Sequence, residues 1–373
     1  MRLTTCMCGV LVLCASYASA VPTNPTTAAI FAGNDITFAG SSAVSGAPVI
    51  ANGNIRHLGG VLTVDSMYGG GTFTHQSAAF QESSGNILFN GDIVDIGGPG
   101  SVFAGNITSG GSVSFVSSAT VQGDVVAASN VNQPFSFATI QGNVAAGGDV
   151  HVAGTVAGNV THGGTLTLGT WGTIGGTVTP GGPVAPPAYQ PLTLPAGRNL
   201  AAGSNNVILS SAQDLTLSPG VYGRLQYASG NTVTLNSGQY VFAGIDSTFS
   251  LNSLSFDTSD GPIDIYVADN LTFDLVQVVN GQKLFAGHYP DPADSLDISI
   301  EVAGSLTARS SFYGTLLAPN GDITLDYFAD VTGRVLAGHD VVLYNSDVTV
   351  VPEPATLSLL ALATMVVLRR RRK

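Results

Sequence analysis

Apolar and polar positions alternate along this chain in pieces only three to five residues long, each piece bracketed by glycine, asparagine or aspartate. A glycine, a polar residue and an aliphatic residue recur as Gly123-Asp124-Val125, Gly142-Asn143-Val144, Gly158-Asn159-Val160 and Gly176-Thr177-Val178, in steps of 19, 16 and 18. A second series interleaves with the first: Gly111-Ser112-Val113, Ser129-Asn130-Val131, Gly148-Asp149-Val150 and Gly164-Thr165-Leu166, in steps of 18, 19 and 16. Two phase-locked series at one period mean that each unit holds at least two short strands separated by turns. At about 3.3 Å per strand residue, such a unit suits one small coil of three short faces. Stacked units would align their aliphatic residues inward and pair their backbones with the coils above and below. The pattern predicts an all-β fold, a parallel β-helix or solenoid with coils of 16 to 19 residues.

Upstream, Gly33-Asn34-Asp35-Ile36, Gly53-Asn54-Ile55, Gly85-Asn86-Ile87, Gly91-Asp92-Ile93 and Gly105-Asn106-Ile107 carry the same theme at irregular spacing. The theme breaks at 179–195, where six prolines in 17 residues exclude a central strand and predict an extended linker or surface crossing. Alternation then resumes. Ser305-Leu306-Thr307, Asp322-Ile323-Thr324 and Asp340-Val341-Val342 step by 17 and 18, and Tyr313 to Ala318 repeats as Thr332 to Ala337 after 19. These boundaries predict a first solenoid block over 21–178, the Pro-rich linker over 179–195 and a second block over 196–350.

Two terminal segments differ from the body. Residues 1–20 read as a secretory signal peptide, with Arg2 before an apolar core and Ala18-Ser19-Ala20 as small residues for cleavage. All three cysteines, Cys6, Cys8 and Cys14, lie there, so an exported body would use neither disulfides nor thiolate chemistry. At the other end, residues 351–373 run from Val351-Pro352-Glu353-Pro354 through the apolar stretch Ala355 to Leu368 into Arg369, Arg370, Arg371, Arg372 and Lys373. Prolines stop any arriving strand, the apolar stretch can form a helix, and a basic end is held on the cytoplasmic side of a bilayer. At about 1.5 Å per residue, those 14 residues span roughly 21 Å, a short single transmembrane helix that snorkelling arginines can complete.

In order and position these features resemble the PEP-CTERM sorting signal of Gram-negative bacteria. The resemblance implies recognition of Val351, Pro352, Glu353 and Pro354 by an exosortase-type processing enzyme, with Arg369 to Lys373 as the membrane stop. It also implies an inner-membrane intermediate on the way to the cell surface or extracellular matrix. The pair Gly314-Thr-Leu-Leu-Ala-Pro-Asn320 and Gly333-Arg-Val-Leu-Ala-Gly338 resembles the coils of exported bacterial β-solenoid families, the choice-of-anchor type and the bactofilin-like repeats.

Charge narrows the partners. The body from 21 to 350 holds six basic and 23 acidic residues, a net of 6 − 23 = −17, which repels nucleic acid. Only Glu82, Glu301 and Glu353 among the 24 acids are glutamate, consistent with turns rather than helices. Catalytic signatures are missing: there is no His-Glu-x-x-His, no Gly-x-Ser-x-Gly and no Walker lysine, so a non-enzymatic role is expected. The six histidines, His57, His75, His151, His162, His288 and His339, read as surface polar residues, with His151 and His162 in adjacent coils. No cofactor is expected. Oxygen-rich turns at Asp257, Asp260 and Asp264, and at Asp291, Asp294 and Asp297, are weak Ca²⁺ candidates that match neither an EF-hand nor a nonapeptide repeat. Phe242, Phe273, Phe285, Phe312, Tyr313, Tyr289, Tyr327 and Phe328 read as core or corner residues, the alternative being a sugar-stacking strip.

Three functions remain. One is a structural protein of the surface or matrix, associated with exopolysaccharide or biofilm and open to self-assembly through its end strands. Another is a glycan-binding adhesin, and the third a polysaccharide-degrading β-helix enzyme. An ice-binding face would need Thr-x-Thr ladders at coil spacing, whereas Thr165-Leu-Thr167 and Thr177-Val-Thr179 are 12 apart.

Overall fold

The structure, a computed structural model, describes residues 21–75, 80–134, 137–247, 252–283 and 297–350. The expected signal peptide and C-terminal membrane helix lie outside these residues. Within them the protein is a parallel β-solenoid of about 16 turns. A short 3-10 turn, Pro25–Thr27, is capped by Asn24, which accepts from the Thr26 N–H. No helix among the described residues is long and apolar enough to cross a membrane.

Strands are short because each coil turns a corner every few residues. In Val113–Phe115, Val125–Ala127 and Val150–Val152 the first and third side chains are buried and the middle one is half-exposed, the period-two pattern of a strand covering a core on one side. Three such faces close a coil. A single ladder of inward residues on the first face runs Tyr240, Ile265, Ile300, Leu316, Val335, Ile30, Val49, Met67, Ile87, Ile107, Val125, Val144, Val160 and Val178. Each fully buried aliphatic rung contributes about 1.5–3 kcal/mol from removal of apolar surface from water.

That ladder passes from Val335 to Ile30, so the chain does not climb the rod in sequence order. Val331–Ala337 pairs with Ile30–Ala32, Val341–Tyr344 with Ile36–Ala39, and Val348–Thr349 with Ser42–Ser45. The coils after the Pro-rich segment therefore come first along the axis, and the coils before it are stacked on top of them. Both runs form one continuous stack.

Turn side chains cross the same joint. On the corner before the second face, Asn270, Ser305, Asp322, Asp340, Asp35 and Asn54 each use a side-chain oxygen to accept the backbone N–H of the next coil, ending on the Thr72 N–H. A parallel series links Asn86, Asn106, Asp124, Asn143, Asn159 and Thr177 on the corner before the first face. This explains the repeated triplet. The Asn or Asp makes the rung, the aliphatic residue enters the core, and the glycine leaves room: a Cβ at Gly53 would sit 2.3 Å from Asp35 Oδ1. Coil length is less regular than the sequence spacing predicts, because corners can be extended outward without disturbing the faces. The register partners Arg224 and Gly244 are 20 residues apart, and Asn270 and Ser305 are 35 apart.

The Pro-rich stretch returns the chain from the far end of the rod to its beginning. It covers an outward apolar row, Leu317, Leu336, Phe31, Ile50, Tyr68 and Leu88, with Tyr189, Leu192 and Leu194. Prolines cannot donate to a ladder, and side chains of the coils supply the missing bonds. Asn52 bonds both the N–H (2.8 Å) and the C=O (2.7 Å) of Leu192 and accepts from the Tyr189 hydroxyl (2.8 Å). Asn90 bonds both backbone groups of Tyr189. Further along, the Arg198 backbone N–H and Nε both donate to the buried Glu301 carboxylate. Tyr189→Ala removes a buried ring together with its Asn52 bond, and is expected to lower unfolding stability by about 3 kcal/mol in denaturant titration.

Candidate functional site

The sorting tail begins immediately after Val350, and the geometry of that exit is well defined. Val348–Thr349 lies between Val331, Thr332 on one side and Val44, Ser45 on the other. The Val350 N–H donates to Ser45 C=O at 2.8 Å, and Val350 is buried. Gly46, at φ +85°, lets the two segments meet: a Cβ there would lie 1.9 Å from the Val350 carbonyl oxygen. Val21, at the other end of the described body, packs against the Tyr189 cluster. Val350 therefore stands partway along the rod, between coils, and both ends of the solenoid are remote from it.

An exposed aromatic group sits in the same region. Between Ile323–Leu325 and Val331–Ala337, Tyr327 is 63% and Phe328 71% exposed. Phe328 adopts φ +64°, a left-handed conformation costing a non-glycine residue about 1–2 kcal/mol. Tyr327 stacks on Tyr344 with ring centroids 5.5 Å apart and a 27° tilt. Beside them Arg309 Nε is 3.4 Å from an Asp326 carboxylate oxygen. Of the other aromatics named from sequence, Phe242, Phe273, Phe312 and Tyr313 are buried core, and Phe285 and Tyr289 lie outside the described residues.

The acidic turn candidates do not converge. Asp257 accepts from the Ser259 N–H at 3.1 Å, and hydrogen bonding from Ser259 holds its carboxyl below the usual range. It lines a shallow depression of about 350 Å³ with Thr234, Ser255, Phe256, Ser259, Asn280 and Gly281. Asp264 accepts from Ser299 Oγ at 2.6 Å in the next coil, Asp260 is in a turn, and half-buried Asp297 precedes Ile298–Val302. Asp291 and Asp294 lie outside the described residues. Among the described residues no three or more His, Cys, Asp or Glu side chains are grouped to hold a metal ion.

The histidines correct the surface expectation. His57 and His75 are buried on the inward side of the second face, in the column of the buried Phe38, with their Nδ1 atoms 2.8 Å apart. His151 and His162 are not brought together: His151 is on the outward side of the second face against Asn132 Oδ1, and His162 is on the first face against Gly164 C=O. His339 is exposed, and His288 lies outside the described residues. Register also reveals a threonine column that spacing alone missed. Thr120, Thr139, Thr155 and Thr173 are outward neighbours on the third face at about 4.8 Å per coil, with Thr173 Oγ1 donating to Thr155 Oγ1 at 3.1 Å.

Residues 350–373 match the PEP-CTERM protein-sorting motif. The motif implies an exported protein that passes through the membrane and is processed by an exosortase. No curated protein matches the chain. Among solved structures, an ice binding protein from an Antarctic bacterium Flavobacteriaceae is 14% identical, with 89% of this chain and 99% of that chain covered at a TM-score of 0.23. A possible adhesin C-terminal domain from Caldicellulosiruptor kronotskyensis is 12% identical, with 92% and 97% covered, also at 0.23. Likenesses at these scores carry no weight for activity.

The buried histidine pair makes stability depend on pH. The Gly40 carbonyl can only accept, so His57 Nε2–H donates to it (3.3 Å) and the neutral Nδ1 accepts from His75. Burial first, then the neighbouring His75 charge, lowers the His57 pKa from 6.5 to about 4. Because the folded value is below the unfolded one, this contribution is complete above pH 6.5 and is lost as pH falls from there through about 4. Melting temperature measured across that window should drop with acidity, and the drop should flatten in His57→Met.

Proposed function

We propose that this protein is a non-enzymatic structural component of the cell surface or extracellular matrix of a Gram-negative bacterium, held or released through its PEP-CTERM tail and associated with exopolysaccharide. The observation carrying this reading is the attachment of a sorting motif to the flank of a long acidic solenoid. A rod mounted at its flank lies along the surface that holds it, or projects both ends from it, and leaves its faces free for contact. Residues 351–373 supply the address, with Val351 to Pro354 as the recognised motif and Arg369 to Lys373 as the stop. A surface with body charge −17 favours hydrated, cation-bridged matrix over direct contact with anionic lipid.

A second reading, a glycan-binding adhesin, is favoured by the exposed Tyr327 and Phe328 beside the half-buried Tyr344. Sugar rings present apolar C–H faces that stack on aromatic rings, and the adjoining Arg309 and Asp326 offer hydrogen bonds to hydroxyls.

Intact mass of the chain recovered separately from membranes and from matrix tests the main reading. The expected result is a matrix species ending near Val351 to Pro354, or modified there, that disappears in Glu353→Ala. Full-length chain confined to membranes would remove the support for release. For the second reading, matrix polysaccharide retention should fall at least tenfold in Phe328→Ala with an unchanged melting curve, and unaltered retention would reject it.

A further inference from the structure

We infer that a second copy of this chain docks end to end on the first, the opening coil of one rod continuing the closing coil of another. The two ends of the solenoid are open in the same three places. At the far end, Leu166–Leu168, Thr173–Ile174 and Val178–Pro180 each pair on one side only, with the preceding coil. At the near end, Val207–Leu209, Asp214–Leu217 and Gly220–Val221 each pair only with the following coil. Unpaired edges and partly covered core residues remain: Leu168 is 52% and Trp171 73% exposed, and Leu166, Ile174, Val207 and Leu215 are only partly buried.

The edges are complementary. The chain meets the faces in one order at both ends, so stacking sets Leu166–Leu168 against Val207–Leu209, with apolar residues inward in both: Leu166 and Leu168 continue the column of Val150 and Val152, and Val207 continues into buried Leu225. On the third face Ile174 meets a strand whose inward residues, Leu215 and Leu217, lead to Val233 and Leu235. Exposed edges are normally protected by charge, yet residues 163–180 hold no Lys, Arg, Asp or Glu, and 199–223 hold Asp214 alone. In a body of net charge −17 these two end segments together carry one charged side chain, Asp214.

What selects a copy of this chain as the occupant is the joint already present inside it. Residues 331–349 and 30–45 stack without local covalent connection, through parallel pairing on three faces and through the Asp340-to-Asp35 turn bond. The same kind of surface is presented at the two ends. A contact between unlike ends does not close on itself, so it yields open rods of increasing length.

The full chain, solubilised with its tail in mild detergent, should sediment as a concentration-dependent series of rods. Its single tryptophan, Trp171, stands at the far end, so emission should shift to the blue as the series grows. Leu168→Lys places a charge inward at the far end and Leu215→Lys does so at the near end. Each lysine reaches solvent in the free rod but is buried unpaired in the stack, so each variant alone should associate roughly a hundredfold more weakly or less. An equal mixture retains one usable joint and should give dimers without longer rods. Monomeric parent chain at every concentration, assembly unaffected in either variant, or assembly with unchanged tryptophan emission would overturn the inference. Melting curves matching the parent check that both variants fold.

Discussion

Every strand in this protein is too short to exist without the coil beside it. A three-residue segment such as Val125–Ala127 makes no internal hydrogen bonds, so its backbone is satisfied only by parallel neighbours on both sides. This requirement explains the rest of the design. Inward residues stack because pairing is in register, corner side chains accept N–H groups because coil backbones pass at ladder distance, and glycines occur where those side chains need space. Stability is thus close to a sum of nearest-neighbour terms along the rod.

The same requirement permits the order of the coils to differ from the order of the chain. Pairing depends on the edge presented, not on whether the next strand is the next in sequence, and Val335 on Ile30 satisfies it as well as Ile30 on Val49. The cost of that arrangement is a long return path. The Pro-rich strap meets it with Asn52 and Asn90 taking the place of a neighbouring strand, while Tyr189 and Leu194 seal the outward apolar row. Arg198 and the buried Glu301 fasten the strap further along; removing Arg198 would leave the Glu301 carboxylate desolvated and without its cation.

This architecture also determines what the tail can do. Were the coils in sequence order, Val350 would lie at an end of the rod; the inserted joint places it at the flank, in the coil that carries Tyr344 and just beyond the exposed Tyr327 and Phe328. The exit at Val350, the aromatic group and the joint occupy one region.

The sequence by itself determined the period, the all-β solenoid and the sorting motif, because each is a local pattern: a Gly-Asx-aliphatic triplet encodes one turn, one rung and one buried side chain wherever it occurs. It also marked Phe242, Phe273 and Phe312 as core. Only the tertiary structure decided which coils adjoin. Nothing in the spacing distinguishes Asp340 preceding Asp35 from Asp340 ending a stack, since the two edges are chemically alike and the choice is made by the strap that spans between them. Burial of His57 and His75, and the Thr120-to-Thr173 column, were hidden for a related reason. A residue's face follows from its register with the next coil, and variable corner lengths remove that register from any fixed sequence interval.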